Sequence, residues 1–333
     1  MSSMQSSSGC RGFSRIGARA LAATLALAAT LAGPDARAAE PAKTLRIAFA
    51  IAETSFDPAF ASDAASDSVI DNIIESMLDY DYLARPVKLV PRTLESLPTV
   101  EDSGRTYVCR VRKGIMFTPD PAFKGLPREL TAADYAYSIK RHLDPMQRSP
   151  WAWLVEGKLV GGDEAQVAAK RSGRFDYDAP LPGLEVVDRY TLKIRLKAPD
   201  YRFAYVLAVP NMGAVAREVV EAYGRDIGAH PVGTGAYRLA EYKRSSRIVL
   251  EANPGFRRVA YVPVVPVPAA SQPLVAALKD KRLPLVPRIE ISVIEEGQAR
   301  WLAFLKGEVD LLSNVPSEFT DVALENGRLK PNL

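Results

Sequence analysis

The stretch Ile289-Glu-Ile-Ser-Val-Ile294 alternates apolar and polar residues, the period of a strand with one face in a core. Glu296 to Leu305 then carries a helical period closed by Gly307, and Val309-Asp-Leu-Leu312 reads as a second short strand. Strand, helix and strand in that order point to an α/β unit. Further strands are expected at Leu45–Ile51, Tyr107–Val111, Tyr190–Leu196, Ala236–Tyr242 and Arg247–Glu251. In the first of these, Leu45, Ile47, Phe49 and Ile51 share one face and mostly small residues the other, as in a buried strand. A polar loop over 53–66 leads from it into a helix on which Val69, Ile70, Ile73, Ile74, Met77 and Leu78 recur, with Ser66 or Asp67 as cap. Thr131-Ala-Ala-Asp134 predicts a capped helix start, and Pro145 ends that helix. Asn253-Pro254-Gly255 is a turn, and 262–287 reads as a Pro-rich surface insertion with a short helix near Leu274–Lys279.

With 333 residues, 47% hydrophobic and 25% charged, the chain is an ordinary globular one of two or three domains or one large α/β body. The net charge of +4 is mostly local, because Arg11, Arg15, Arg19 and Arg37 stand against Asp35 alone at the N-terminus. The remainder carries no basic footprint for nucleic acid. That N-terminal basic stretch, the apolar run Ala20–Ala32 and Ala36-Arg37-Ala38 together read as a secretory signal peptide, residues 1–38. The run is short against the roughly 20 residues that span a bilayer. An exported, periplasmic and soluble chain is expected.

The chemistry-bearing residues are few. His142 and His230 are the only histidines, and no H-E-x-x-H, C-x-x-C, G-x-S-x-G or phosphate-loop pattern occurs. A Ser-His-Asp triad stays open, since its members need not be neighbours in sequence. Cys109, alone after signal removal, reads as a small buried strand residue. No cofactor and no metal is expected.

Four segments in order carry a resemblance. They are Ser55-Phe-Asp-Pro58 with the loop and helix behind it; Tyr107 to Phe117 followed by Leu130 to Arg141; His230-Pro-Val-Gly-Thr-Gly-Ala-Tyr237 running on to Pro254; and Ala299 to Leu312 with Gly307-Glu-Val-Asp310. Together, over about residues 43–316, they resemble the family 5 extracellular solute-binding proteins of bacterial ABC importers, which include di- and oligopeptide-binding proteins. The loop between Lys113 and Thr131 and the stretch 255–288 are longer than the family's usual connections.

The resemblance implies a periplasmic binding protein-like fold of type II, a two-lobed clamp. Residues 43–75 and 201–316 would form the first α/β lobe, 76–200 an inserted domain, and 317–333 the start of a second lobe otherwise absent from this chain. It implies capture of peptides, or of another small solute, for an inner-membrane permease, by a monomer and without catalysis. An exported hydrolase with an unrecognised site and a remnant that binds nothing are the alternatives. Since a clamp encloses its ligand from both sides, these 333 residues alone are expected to bind peptide weakly or not at all.

Cleft residues belong on loops at strand ends and helix N-termini. Ser62, Asp63 and Ser66, on the loop entering the first helix, are candidates for ligand contact, or they merely cap that helix. Trp151 and Trp153 stack on a ligand or pack their own loop, and Asn211, after an apolar run, faces the cleft. The exported form is expected to begin at Ala39. N-terminal sequencing of secreted material checks this, and a membrane-retained product starting at Met1 contradicts it.

Overall fold

The computed structural model describes residues 43–263, 267–325 and 327–330. Residues 1–42, which include the expected signal peptide, residues 264–266 of the expected Pro-rich insertion, residue 326 and the last three residues lie outside them. In chain order the strands are β1 (Thr44–Phe49), β2 (Leu78–Tyr80), β3 (Leu89–Pro91), β4 (Thr99–Glu101) and β5 (Thr106–Arg110). They continue with β6 (Leu184–Val186), β7 (Thr191–Arg195), β8 (Tyr237–Lys243), β9 (Arg247–Ala252) and β10 (Arg288–Val293). The helices that matter here are α1 (Ala64–Ile73), α2 (Ala132–Leu143), α3 (Gly162–Ser172), α4 (Phe203–Val206), α5 (Arg217–Tyr223), α6 (Gln272–Leu278) and α7 (Gly297–Leu305).

Two four-stranded sheets carry the architecture. The first has the order β1-β10-β9-β8, with β1 parallel to β10 and the others antiparallel. Leu45, Ile47 and Phe49 stand opposite Ile289, Ile291 and Val293. The apolar residues of this sheet, Ile248, Leu250 and Ile291, pack against Val69, Ile70 and Ile73 of α1. The second sheet, β4-β5-β7-β6, is antiparallel throughout. Its inward residues Tyr107, Cys109, Leu192 and Ile194 meet Tyr135, Ile139 and Leu143 of α2. Phe203, Leu207, Met212 and Val219, from α4 to α5, join this second core. Burial alone pushes the Cys109 thiol up to about 12, so it stays a small apolar residue.

Capping chemistry sets where the helices begin. At α2 the Thr131 N–H and hydroxyl donate to the Asp134 carboxylate at 2.7 and 2.8 Å. At α1 the cap is Asp63, upstream of the expected Ser66 or Asp67. Its carboxylate accepts the Ser66 N–H and hydroxyl, each at 2.7 Å, and the Thr54 hydroxyl at 2.5 Å.

Three further expectations are corrected. The α1 periodicity, read as running through Leu78, stops at Ile73, because the Gly235 N–H takes the Ile73 carbonyl at 2.8 Å. A continuing helix would give that carbonyl to Met77. Met77 and Leu78 instead enter the second core, and Leu78 opens β2. The expected strand Val309–Leu312 reduces to one bridge between Leu311 and Ile47. There the Asp310 carboxylate accepts the Arg46 N–H at 2.7 Å, claiming a donor that a ladder would need. β1 is half-buried along its length, not buried, because it lies at the sheet's edge.

The loop between β1 and α1 is held from below by residues far away in sequence. Arg141 on α2 donates to both oxygens of Asp57 at 2.7 Å, with side chains only 3% and 1% exposed. Next to it, His142 is buried, with Nδ1 2.8 Å from the Ser149 hydroxyl and Nε2 2.9 Å from the Asn211 carbonyl. The carbonyl can only accept, so Nε2 carries the proton and Ser149 donates to Nδ1. The Asn211 amide in turn donates to the Pro58 carbonyl and to Asp67. Trp151 Nε1 donates to the Ala61 carbonyl at 2.6 Å.

Two outcomes follow. A Cβ at Gly233 would lie 1.9 Å from the Ile73 carbonyl oxygen, which is backbone and cannot swing aside. Gly233→Ala should therefore cost at least about 1–3 kcal/mol in urea unfolding, and an unchanged midpoint would contradict this packing. Burial lowers the His142 pKa to about 4, below the value of about 6.5 for an unfolded histidine. Between those values the unfolded chain binds the proton and the folded one does not. The stability tied to neutral His142 is thus complete above about pH 6.5 and is lost as pH falls towards 4. The wild type should lose up to about 3 kcal/mol more than His142→Gln between pH 7 and pH 4, as read by urea midpoints.

Candidate ligand-binding face

β1 and β10 run parallel, so their carboxyl ends open on the same edge of the first sheet. Ligands of α/β sheets sit beyond the carboxyl ends of the strands, where loops and helix N-termini converge. Here the chain leaves β1 at Phe49, crosses the loop over 50–62 and enters α1. A groove of about 270 Å³ lies at that point. It is lined by the 47–51 stretch, by Ala64, Ala65 and Ser68 of α1, and by Leu311 and Ser313. No charged side chain lines it.

The polar groups it offers are backbone ones. Asp63 satisfies the Ser66 N–H, and the Asp67 N–H goes to the Asp63 carbonyl. The N–H groups of Ala64 and Ala65 have no acceptor among the described residues. Free amides in the first turn, with the partial positive charge of the helix end, suit a carboxylate or a peptide carbonyl. Burial opposes ionisation of Asp63, yet hydrogen bonds from Thr54 and Ser66 outweigh it and hold its pKa below the usual carboxylate range. For Asp67, burial dominates and raises the pKa, although the Asn211 amide opposes it.

The six sequence candidates play different parts. Ser62 is exposed on the loop, and Trp153 is 62% exposed on the short turn that follows Trp151. Ser66 is fully buried, its hydroxyl accepting the Thr54 N–H at 2.9 Å while donating to Asp63. Asn211 is buried beneath the loop, and Trp151 is half-buried and tied to Ala61. Asp63, Ser66, Asn211 and Trp151 therefore build the loop, while Ser62 and Trp153 present open surface.

Sequence reasoning missed Phe60, which is 46% exposed in the same loop, together with Leu311 and Ser313 on the far wall of the groove. An aromatic between Pro58 and Ser62 in an otherwise polar loop was the available signal for Phe60. Nothing in the sequence marks Leu311 and Ser313. His142 and Ser149 do pair, but both are buried, and the imidazole nitrogen that is not facing the hydroxyl is spent on a backbone carbonyl. Among the described residues no group of three or more His, Cys, Asp or Glu side chains is placed to hold a metal ion. No helix among them is long and apolar enough to cross a membrane.

Residues 88–331 match the family described as bacterial extracellular solute-binding proteins, family 5 Middle. The glutathione-binding protein GsiB of Salmonella choleraesuis (strain SC-B67) is 28% identical over 234 residues, 70% of this chain and 38% of the relative. Its counterpart in Escherichia coli O1:K1 / APEC is 28% identical over 215 residues, 65% of this chain and 35% of the relative. Among solved structures, the periplasmic murein tripeptide binding protein MppA in its unliganded open form superposes with a TM-score of 0.65 at 22% identity. That match covers 86% of this chain and 48% of MppA. Haemophilus influenzae OppA in complex with the peptide RPPGFSPFR gives 0.66 at 19% identity, covering 85% and 48%. The chain thus spans well under half the length of these curated relatives and about half of the solved chains. Its mixed α/β fold is that of the type II periplasmic binding proteins. By the match over residues 88–331, the chain belongs to the family 5 bacterial extracellular solute-binding proteins.

Proposed function

We propose that the chain captures short peptides in the periplasm as part of the binding component of an ABC importer, and presents them to the inner-membrane permease. The observation that carries this reading is the groove at the carboxyl end of β1, with the free Ala64 and Ala65 amides on one side, the exposed Ser62 just before them in the chain, and the exposed Trp153 on the turn that Trp151 ties to Ala61 of the same loop. Backbone donors recognise a peptide carbonyl or terminal carboxylate without regard to side chains, and an exposed indole stacks on flat or apolar groups. The relatives favour the same ligand class: glutathione and a murein tripeptide are short peptides bearing free carboxylates. Helicobacter pylori DppA, also similar in fold, is solved with the peptide STSA.

The remaining parts of the reading rest on sequence and family. The N-terminal basic stretch, apolar run and Ala36-Arg37-Ala38 support export. Membership in a family of solute-binding proteins, and the burial of the one Ser–His pair, support capture without catalysis. Residues 43–75 and 201–316 form one domain with 76–200 inserted. The pairing of β1 with β10 supports this for the strands of the first sheet, while Phe203 to Val219 pack in the core of the second sheet.

Titration calorimetry with di- to tetrapeptides and glutathione, carried to millimolar peptide, tests the proposal. Binding should occur without cleavage products. Trp153→Ala should weaken it about three- to tenfold, the worth of one aromatic contact, with an unchanged melting temperature. Hydrolysed peptide, or affinity indifferent to Trp153→Ala and to a bulky Ser62→Trp, would sink it.

A further inference from the structure

The opposite end of α1 carries a second cavity, of about 730 Å³. It lies about 15 Å from the groove, the length of a ten-residue helix. Its floor is an ion network. Glu75, 2% exposed, meets Arg257 at 2.6 and 2.8 Å and Arg92 at 3.4 Å, and Arg92 also bonds Asp71 at 2.5 Å. One wall is the β2–β3 hairpin. The other is the beginning of the stretch 255–288, fastened across the cavity by Tyr261, whose hydroxyl donates to Asp81 at 3.0 Å. The cavity therefore exists because this chain carries that longer connection.

Three features of its lining select a positive charge. Asp79 is only loosely paired: Arg92 stands 3.9 Å away and is already committed to Asp71 and Glu75. Tyr80 and Tyr82, 42% and 68% exposed, follow it on the hairpin and also line the cavity, and Tyr80 is steadied by stacking on Tyr205 at 6.3 Å. The cavity also lies at the negative end of α1, whose last turn holds no basic residue. A carboxylate beside aromatic faces at a helix C-terminus suits an ammonium or guanidinium group, which can donate to the one and sit over the other. Burial acts in the same sense, since it raises the Asp79 pKa against the opposing pull of Arg92, and a bound cation would relieve that cost.

We propose that this cavity is a second ligand site, separate from the peptide groove, which takes a small organic cation between Asp79 and the rings of Tyr80 and Tyr82. Its volume lies in the range of about 300–1,000 Å³ typical of small-molecule sites.

The test is a calorimetric or NMR titration of the full chain with arginine methyl ester, using the uncharged citrulline methyl ester as control. The arginine ester should bind and the citrulline ester should not. Asp79→Asn should weaken binding at least about tenfold, by loss of a charge-assisted hydrogen bond. Tyr82→Ala, at a site too exposed to affect folding, should weaken it about two- to fivefold. Equal binding of the two esters, no binding of either, indifference to both substitutions, or calcium binding in place of the organic cation would each overturn the proposal. Peptide titration of the same sample reads the groove separately, so failure here leaves the peptide reading standing.

Discussion

The Asp57–Arg141 pair is the contact on which the candidate face depends. It joins the loop after β1 to helix α2, two segments that otherwise belong to different cores, and both side chains are out of reach of water. Removing one partner from such a pair typically costs about 3–5 kcal/mol, because the other charge is left buried without an answer. Replacing both by apolar residues is often neutral, so its value lies less in net stability than in fixing where the loop sits. Arg141 Nε finds no partner among the described residues, which fits a pair placed for position and not for the largest number of bonds. Around it, Asn211 and Trp151 tie the backbone of the loop at Pro58 and Ala61, and His142 holds the Asn211 carbonyl. Backbone ties hold the course of the chain while leaving the side chain of Ser62 and the first-turn amides free to act.

How much of this was legible in the sequence depended on how local the cause is. β5, β7, β8 and β9, and the start of α2, were readable because alternation and capping act within a few residues. The end of α1 was not, because Gly235, far along the chain, takes the carbonyl that would have continued the helix. The strand expected at 309–312 failed for a similar reason: Asp310 competes for the backbone donor of Arg46, and side-chain competition of this kind leaves no periodic trace. For the candidate face, the loop was identified but the division of labour within it was not. Ser and Asp at a helix start serve equally as caps and as ligand donors, and only the bonds they make show that Asp63 caps α1 and that Ser66, inside its first turn, donates to that cap.

Helix α1 runs from the groove to the second cavity and gives its two ends opposite character. Its N-terminal turn leaves two amides free in a groove without charged side chains, an environment in which a partial positive charge is felt strongly. Its C-terminal turn is pressed against Gly213, Gly233 and Gly235 and followed by Glu75, so negative charge accumulates there. The Gly-Thr-Gly stretch supplies both the close approach and the Thr234 hydroxyl that donates to Glu75 at 2.8 Å.

Glu75 therefore shows why the long connection after Asn253 is more than surface decoration. A carboxylate buried to 2% exposure needs a full counter-charge, and Arg92 at 3.4 Å is shared with Asp71. Arg257 completes the neutralisation in a two-pronged contact while also donating to the Arg92 carbonyl at 2.9 Å. Because Arg257 stands at the start of that connection, the bond fixes where the added segment departs. Tyr261 on Asp81 and Arg282 on the Phe256 carbonyl then fold it back over the hairpin. The added segment is thus built onto a charge that the helix end already required to be answered, and the cavity between them follows from that anchoring.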